Sequence, residues 1–258
     1  MPGGLFITLE GGDGSGKSTQ VAALVDRLRQ RRIPVTAVRE PGDTRLGDLL
    51  RSVLKFANAP RTPDAELLLF NASRSQLVSE VIRPALDRGD VVVSDRFADS
   101  TVAYQGYGRG IPLDKVEGVN KVGAAGLKPD LTVLLDLPPE ERLKRDTWSG
   151  DQMEQKAVGG FREEASQGYL FADAAEEKGT PGREQDSSQG ALFEGGYEDR
   201  EAMDYHRRIR QGYLDMARSE PKRWIVIDAR LPQEEISELI WQRVEQLLSA
   251  VRGEAGRT

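Results

Sequence analysis

Residues 11–18 read Gly11-Gly12-Asp13-Gly14-Ser15-Gly16-Lys17-Ser18, between an apolar run, Leu5-Glu10, and an amphipathic stretch, Ser18-Arg31. A strand that turns through glycines straight into a helix, ending in Lys-Ser, is the G-x-x-x-x-G-K-[ST] phosphate loop in the context that motif requires. It commits the chain to a parallel βα unit. Glycines let the backbone close on a polyphosphate, so that successive N–H groups and the helix N-terminus face the anion. Lys17 is placed to reach the β- and γ-phosphates, the Ser18 hydroxyl is placed for Mg²⁺, and Thr19 completes the loop's binding set. The stretch Gly11 to Thr19 therefore implies a nucleoside triphosphate, with ATP and Mg²⁺ as the expected pair. Alone it fits a kinase, an ATPase or a GTPase.

The remaining pattern extends that unit. Apolar strand runs are predicted at Leu5-Glu10, Val35-Arg39, Val91-Ser94, Leu131-Asp136 and Trp224-Asp228. Helical periodicity is predicted at Ser18-Arg31, Arg45-Phe56, Asp64-Asp87, Leu113-Ala125, Pro139-Arg145, Glu201-Arg218 and Gln233-Arg252. Alternating elements of this kind make an α/β protein, a five-stranded parallel sheet with helices on both faces. One region does not fit: residues 146–198 are rich in Gly, Gln and acid, with 4 basic and 12 acidic residues. Without them the net charge of -6 becomes +2, so the acidity of the chain is that of one segment. The expected organisation is a core over residues 1–145, an acidic insertion with the composition of a mobile segment over 146–198, and the rest of the core over 199–258.

Composition narrows the chemistry. No cysteine and a single histidine exclude disulfides, thiolate metal sites, Fe–S clusters, Cys nucleophiles and most Ser-His machinery. What remains is carboxylates, Arg, Lys and backbone amides. A negative chain is a poor general binder of nucleic acid. No apolar run approaches the roughly 20 residues of a membrane span, and the first residues lack a cationic leader with an apolar stretch. The expectation is a soluble cytoplasmic protein with neither membrane nor direct nucleic-acid partner.

A kinase needs a second pocket for the phosphoryl acceptor, and arginines follow two of the strands. After the second come Arg39-Glu40-Pro41-Gly42, Arg45 and Arg51; after the third, Asp95-Arg96-Phe97 and Ser100-Thr101-Val102-Ala103-Tyr104-Gln105-Gly106-Tyr107-Gly108-Arg109-Gly110. Both lie at strand C-termini, where open α/β sheets bind ligands. The fourth strand ends in Leu137-Pro138-Pro139-Glu140 and not in the base-reading N-K-x-D of GTPase switches.

Several blocks occur in order: Glu10 to Ser18, Arg39-Glu40-Pro41-Gly42, Leu69 to Gln76, Asp95 to Gly106, and Arg210-Gln211-Gly212-Tyr213. Together they resemble bacterial thymidylate kinases, P-loop nucleoside monophosphate kinases, over about four fifths of the chain. The resemblance implies transfer of the ATP γ-phosphoryl group to dTMP, giving dTDP and ADP for dTTP synthesis, in a homodimer whose surfaces include the helices bearing Phe70-Arg74 and Thr101-Gln105. It implies that Asp13, Lys17, Arg51 and Arg96 form the catalytic set, with Arg51 and Arg96 on the acceptor phosphate and Glu40 organising those arginines. Asp13 would orient the acceptor sugar, and Asp95 would sit near the metal with Ser18, through water. Phe70 offers a stacking face, and Arg74, at i+4, is placed to donate to thymine O4, where cytosine has an amino group. Tyr104 would wall off a 2′-hydroxyl, with Thr101 and Gln105 lining the base.

Gly14 stands where some relatives carry an arginine, so the resemblance also implies a cation from the lid over ATP, for which Arg145 and Arg200 are the candidates. The 146–198 segment interrupts that lid. It holds a near repeat, Ser166-Gln167-Gly168-Tyr169-Leu170-Phe171 and Ser188-Gln189-Gly190-Ala191-Leu192-Phe193. Both Gln-x-x-Leu-Phe copies, Gln167-Phe171 and Gln189-Phe193, are similar to the peptide by which replication proteins dock on the bacterial sliding clamp. Two alternatives stay open at this stage: a nucleotide-binding interaction protein recruited through the insertion, and a P-loop kinase for another deoxynucleotide. His206, within a basic helix, reads as structural or surface.

Overall fold

The computed structural model describes residues 4–56, 60–141 and 197–255. Strands β1 (Leu5–Glu10), β2 (Val35–Arg39), β3 (Val91–Asp95), β4 (Leu131–Asp136) and β5 (Trp224–Asp228) form one sheet of order β2-β3-β1-β4-β5. Every pairing is parallel. All five expected strands are present, the third extended by one residue to Asp95. The chain passes from β1 to one side of the sheet and then to the other. The C-terminal end of β1 is therefore the switch point, where such sheets open a ligand crevice.

Alternation along β1 divides the core. Leu5, Ile7 and Leu9 face helices α1 (Lys17–Gln30) and α8 (Gln233–Ala255), packing with Leu24, Leu28, Ile236, Ile240 and Trp241. Phe6 joins a second cluster with Leu77, Ile82, Val92 and Phe97. With a side-chain period of two, Thr8 and Glu10 share the face of Phe6. That leaves a carboxylate in a buried position at the end of the central strand, and it must find partners there.

This second face is covered by α3 (Pro63–Leu77), α4 (Arg83–Asp87), α5 (Ala98–Thr101), α6 (Leu113–Gly123) and α7 (Tyr197–Ser219), while α2 (Arg45–Phe56) packs beside α3. The α3 helix opens on a Thr62 cap that accepts from the Ala65 amide, with Pro63 in the first turn. The stretch expected as one helix over Asp64-Asp87 contains a wide π-helical turn at Val78–Ile82. Helix α5 continues as a second such turn, Val102–Gly108, where the hydropathy pattern predicts no helix. α7 begins at Tyr197, four residues before the expected Glu201 and inside the expected insertion. Only residues 139–141 of the helix expected over Pro139-Arg145 are described, and they are helical.

α7 rests on the Val102–Gly108 turn through glycines. A methyl group on Gly108 would lie 2.7 Å from the Tyr205 ring, and one on Gly212 would lie 2.6 Å from the Tyr107 ring. The close approach sets α7 against the C-terminal edge of the sheet. Among the described residues, no helix is long and apolar enough to cross a membrane.

Candidate active site

The loop between β1 and α1 has the backbone its glycines predict. Gly11 adopts φ +140°, and a Cβ there would stand 2.5 Å from the Leu135 carbonyl oxygen. Only glycine fits. Lys17 is buried and its Nζ donates to the Gly12 carbonyl at 2.7 Å, so the ammonium lies back along the loop. Burial, and then the Arg96 charge, push it down to about 7, while Asp95, Asp13 and Glu10 act the other way. Ser18 Oγ donates to Asp95 Oδ2 at 2.6 Å, which brings the two expected Mg²⁺ residues together across 77 positions of sequence.

Beside the loop lies a cleft lined by Glu40, Pro41, Phe70, Arg74, Arg96, Ser100, Thr101, Tyr104 and Gln105. Seven of the eight residues expected around the acceptor line this one cleft; the eighth, Arg51, is adjacent and donates to the Pro41 carbonyl at 2.8 Å. Phe70 and Arg74 come from one face of α3, and Thr101, Tyr104 and Gln105 from α5 and its wide turn. Arg96, just past β3, holds φ +73°, a left-handed conformation uncommon for a side-chain-bearing residue. Its guanidinium pairs with Asp13 at 2.6 Å, donates to the Tyr104 hydroxyl at 3.2 Å and lies over the Tyr104 ring. Asp13 and Arg96 thus link loop and cleft. Burial works against the Arg96 charge, but Tyr104, Tyr213, Asp13 and Glu10 hold its pKa above the ordinary value.

The Glu40 carboxylate pairs with Arg74, at 2.7 Å, with both side chains buried. The reason is desolvation. A carboxylate shut from water needs a cation that can be buried with it, and Arg74 has acceptors for each of its nitrogens: Glu40, Asn71, Asn120, Thr101 and the Phe97 carbonyl. Arg74 therefore reaches the cleft with its donors already engaged, so a contact to a base carbonyl would share one of them. Gln105 likewise donates to Glu66 at 2.8 Å.

Three groups at the site were given no role by sequence reasoning. Glu10 is fully buried and accepts from the Phe97 amide at 2.7 Å, from Ser100 Oγ at 2.6 Å and from the Tyr213 hydroxyl at 3.0 Å. Burial and then the Asp99 charge push it up to about 7, against Ser100, Arg96 and the Phe97 amide. Its signal was a lone charge closing an otherwise apolar strand. Ser100 and Tyr213 lay inside the quoted blocks, but their joint contact with Glu10 needs the fold. A second, narrow cleft runs between the loop and α7, lined among others by Gly12, Asp13, Asp136, His206, Arg210 and Tyr213. There Arg210 and Asp136 form a two-pronged pair at 2.6 and 2.8 Å. His206, expected to be structural or surface, stands in the wall of this cleft. Arg145 and the Gln167-Phe171 and Gln189-Phe193 copies lie outside the described residues, and Arg200 falls in the first turn of α7.

A phosphate loop at the switch point of a five-stranded parallel sheet, facing an arginine-bearing cleft on the neighbouring strand ends, defines a P-loop nucleotide-binding protein. Comparison with known proteins narrows the class. A family model described as "Thymidylate kinase" matches residues 9–172. The chain is 40% identical over 248 residues to a thymidylate kinase of Roseiflexus sp. strain RS-1, covering 96% of each chain. It is 41% identical over 248 residues to one from Deinococcus radiodurans, covering 95% of this chain and 98% of the relative. The solved thymidylate kinase of Ehrlichia chaffeensis superposes with a TM-score of 0.65 at 27% identity, over 95% of this chain and 99% of that one. The chain belongs to the thymidylate kinase family.

Proposed function

We propose that this chain transfers the γ-phosphoryl group of ATP to dTMP, giving dTDP and ADP, with the phosphate loop as donor site and the Phe70–Arg96–Tyr104 cleft as acceptor site. The observation that carries this reading is the Asp13–Arg96 pair, which joins the loop to a cleft lined by an aromatic ring, buried amides and hydroxyls, and arginine. A phosphomonoester has its second pKa near 6, so the acceptor is mostly a dianion at neutral pH and needs no general base. Its oxygen attacks the γ-phosphorus, the bond to the β-phosphate oxygen breaks, and ADP leaves with that electron pair. No proton has to move. The obstacle is repulsion between anions, which fixed cations and in-line placement relieve.

Each residue then has a task. Lys17 and the loop amides hold the β- and γ-phosphates. Arg96 and Arg51 hold the acceptor phosphate, for which planar guanidinium groups are suited. Asp13 orients both Arg96 and the acceptor sugar, the Phe70 ring stacks on the pyrimidine, and Tyr104 closes the 2′ side. Ser18 and Asp95 supply two hard oxygen donors 2.6 Å apart at the mouth of the loop. So sparse a set suits Mg²⁺, an ion that keeps several waters and binds through phosphates. Bound there, the ion would offset charge on the β- and γ-oxygens.

A homodimer belongs to the same reading. Of the helices first expected at its surface, those with Arg74, Thr101 and Gln105 turn these residues into the cleft, whereas Leu46, Leu49 and Val53 of α2 and Leu68 of α3 are exposed. That apolar strip is where a second copy would sit, and light scattering would show a monomer if it does not. The Gln-x-x-Leu-Phe copies within residues 146–198 are, in this reading, offered to a sliding clamp. No enrichment of purified clamp over a Phe171→Ala/Phe193→Ala control would remove that partner.

The decisive experiment is ADP release with ATP and Mg²⁺ against dTMP, dUMP, dCMP, dGMP and thymidine, with Lys17→Ala as blank. Preference for dTMP is expected. ATP binding without transfer to any acceptor would replace this reading with that of an interaction protein, and preference for another acceptor would move it to another deoxynucleotide kinase.

A further inference from the structure

We propose that Glu10, which touches neither ligand cleft, is a positioning residue for the acceptor phosphate, aiming Arg96 by orienting the hydroxyls of Ser100 and Tyr213. The proposal rests on the assignment of Arg96 to the acceptor phosphate. An arginine can only donate. Its Nη1 lies 3.1 Å from Ser100 Oγ and 3.4 Å from the Tyr213 hydroxyl, so both oxygens accept from it. The protons of those hydroxyls must therefore point elsewhere, and Glu10 Oε2 stands 2.6 Å from one and 3.0 Å from the other. The second carboxylate oxygen is kept in place by the Phe97 amide at 2.7 Å, one residue from Arg96. The two hydroxyls also lie 2.9 Å from each other, so ionised Glu10 takes the proton of at least one of them, directly or relayed through the other, and lone pairs of both oxygens face the guanidinium. The Gly11 carbonyl, next along the chain, accepts from the same Nη1 at 3.2 Å. With Nη1 held from behind, Nη2 is left to face Asp13 and the cleft.

Replacing the carboxylate by an amide of the same shape reverses this order. If the Gln nitrogen meets the hydroxyls, one proton can lie between them, but the other is driven toward Arg96. If it meets the Phe97 N–H, two donors oppose each other. Either way the hydroxyl acceptors behind Nη1 are weakened and the Gly11 carbonyl remains, while the hydrogen bonds of Lys17, Ser18 and Asp95 are kept. A KM split is therefore expected: Glu10→Gln should raise the KM for dTMP roughly ten- to a hundredfold, with the KM for ATP within about twofold of wild type. Tyr213→Phe, which removes one of the two hydroxyls and leaves Glu10 in place, should move the KM for dTMP in the same direction by less. The double variant should be no worse than Glu10→Gln alone, because the two act in one chain of contacts.

Full-length wild type and all three variants are assayed side by side by ADP release, with melting curves for each. If wild type turns over dTMP and Glu10→Gln shifts both KM values alike, or neither, Glu10 is merely structural and the proposal falls alone. Should Glu10→Gln fail to fold, Tyr213→Phe decides: an unchanged KM for dTMP overturns the proposal. Absence of dTMP turnover by wild type overturns the assignment of the cleft and the proposal with it.

Discussion

Glu40 and Arg74 pair at 2.7 Å with side chains 5% and 1% exposed, tying the end of β2 to the last turn of α3. Burial leaves the Glu40 carboxyl above its ordinary range, and Arg74 opposes that rise. Removing one member of such a pair strands the other in a dry interior. Glu40→Ala should lower stability by about 3–5 kcal/mol in a urea titration, and Glu40→Gln, which keeps an acceptor, should lose less. A Glu40→Ala midpoint equal to wild type would show that water reaches Arg74.

Lys17 gives the opposite balance. Its ammonium is buried beside Arg96, at a cost to the folded state. Lys17→Ala should lower kcat on the order of 10²–10³-fold, by analogy with the loss of one charge-stabilising donor. Its melting temperature should equal or exceed that of wild type. A large fall in melting temperature would mean that the bond to the Gly12 carbonyl holds the loop together.

The Ser18–Asp95 contact makes the metal dependence testable. EDTA should abolish turnover, and Asp95→Asn should raise the Mg²⁺ concentration for half-maximal rate roughly 10–100-fold. The KM for dTMP should stay constant, since Asp95 faces the loop and does not line the acceptor cleft. An unchanged Mg²⁺ curve would remove Asp95 from the metal set.

Tyrosine ionisation gives a pH window. Burial pushes Tyr104 up to about 12 and Tyr213 well above its ordinary value, with Tyr205 and Tyr107 also raised. A neutral phenol favoured by folding contributes stability that is complete below the unfolded pKa of about 10 and is lost as pH rises through about 12. The near-ultraviolet phenolate signal of the native protein should therefore lag behind that of the unfolded chain, then jump as the fold opens. Six tyrosines titrating together near pH 10 would contradict the buried hydroxyl network.

The seat of α7 can be probed by one methyl group. Gly212→Ala would place carbon 2.6 Å from the Tyr107 ring, and such overpacking should cost about 1–3 kcal/mol. A variant as stable as wild type would mean that Tyr107 moves aside freely.

The strands and the phosphate loop were legible because their signals are local: apolar runs of the right length, and glycines between a strand and a helix. The cleft residues were legible through blocks of resemblance, and the structure brings Phe70, Arg74, Arg96, Thr101, Tyr104 and Gln105 to one cavity. The helix over Ala98–Gly108 was absent from the hydropathy reading because its Gly-rich wide turn breaks the 3.6-residue period. Glu10 and Tyr213 meet across 203 positions, and no spacing rule spans that distance. The pairing of Glu40 with Arg74, 34 positions away, was hidden for the same reason. Sequence shows which charges lie near in the chain, while burial decides which of them must share a dry pocket.

Tyr213 stands in the wall between the two clefts. Its hydroxyl is bonded to Arg96 and Glu10 on the acceptor side, and the residue lines the space beside Gly12 and Asp13 on the other. A shift of α7 that improves one cleft therefore reshapes the other. Reciprocity then governs the pair of ligands: whatever factor bound nucleotide contributes to dTMP affinity, dTMP must return to the nucleotide.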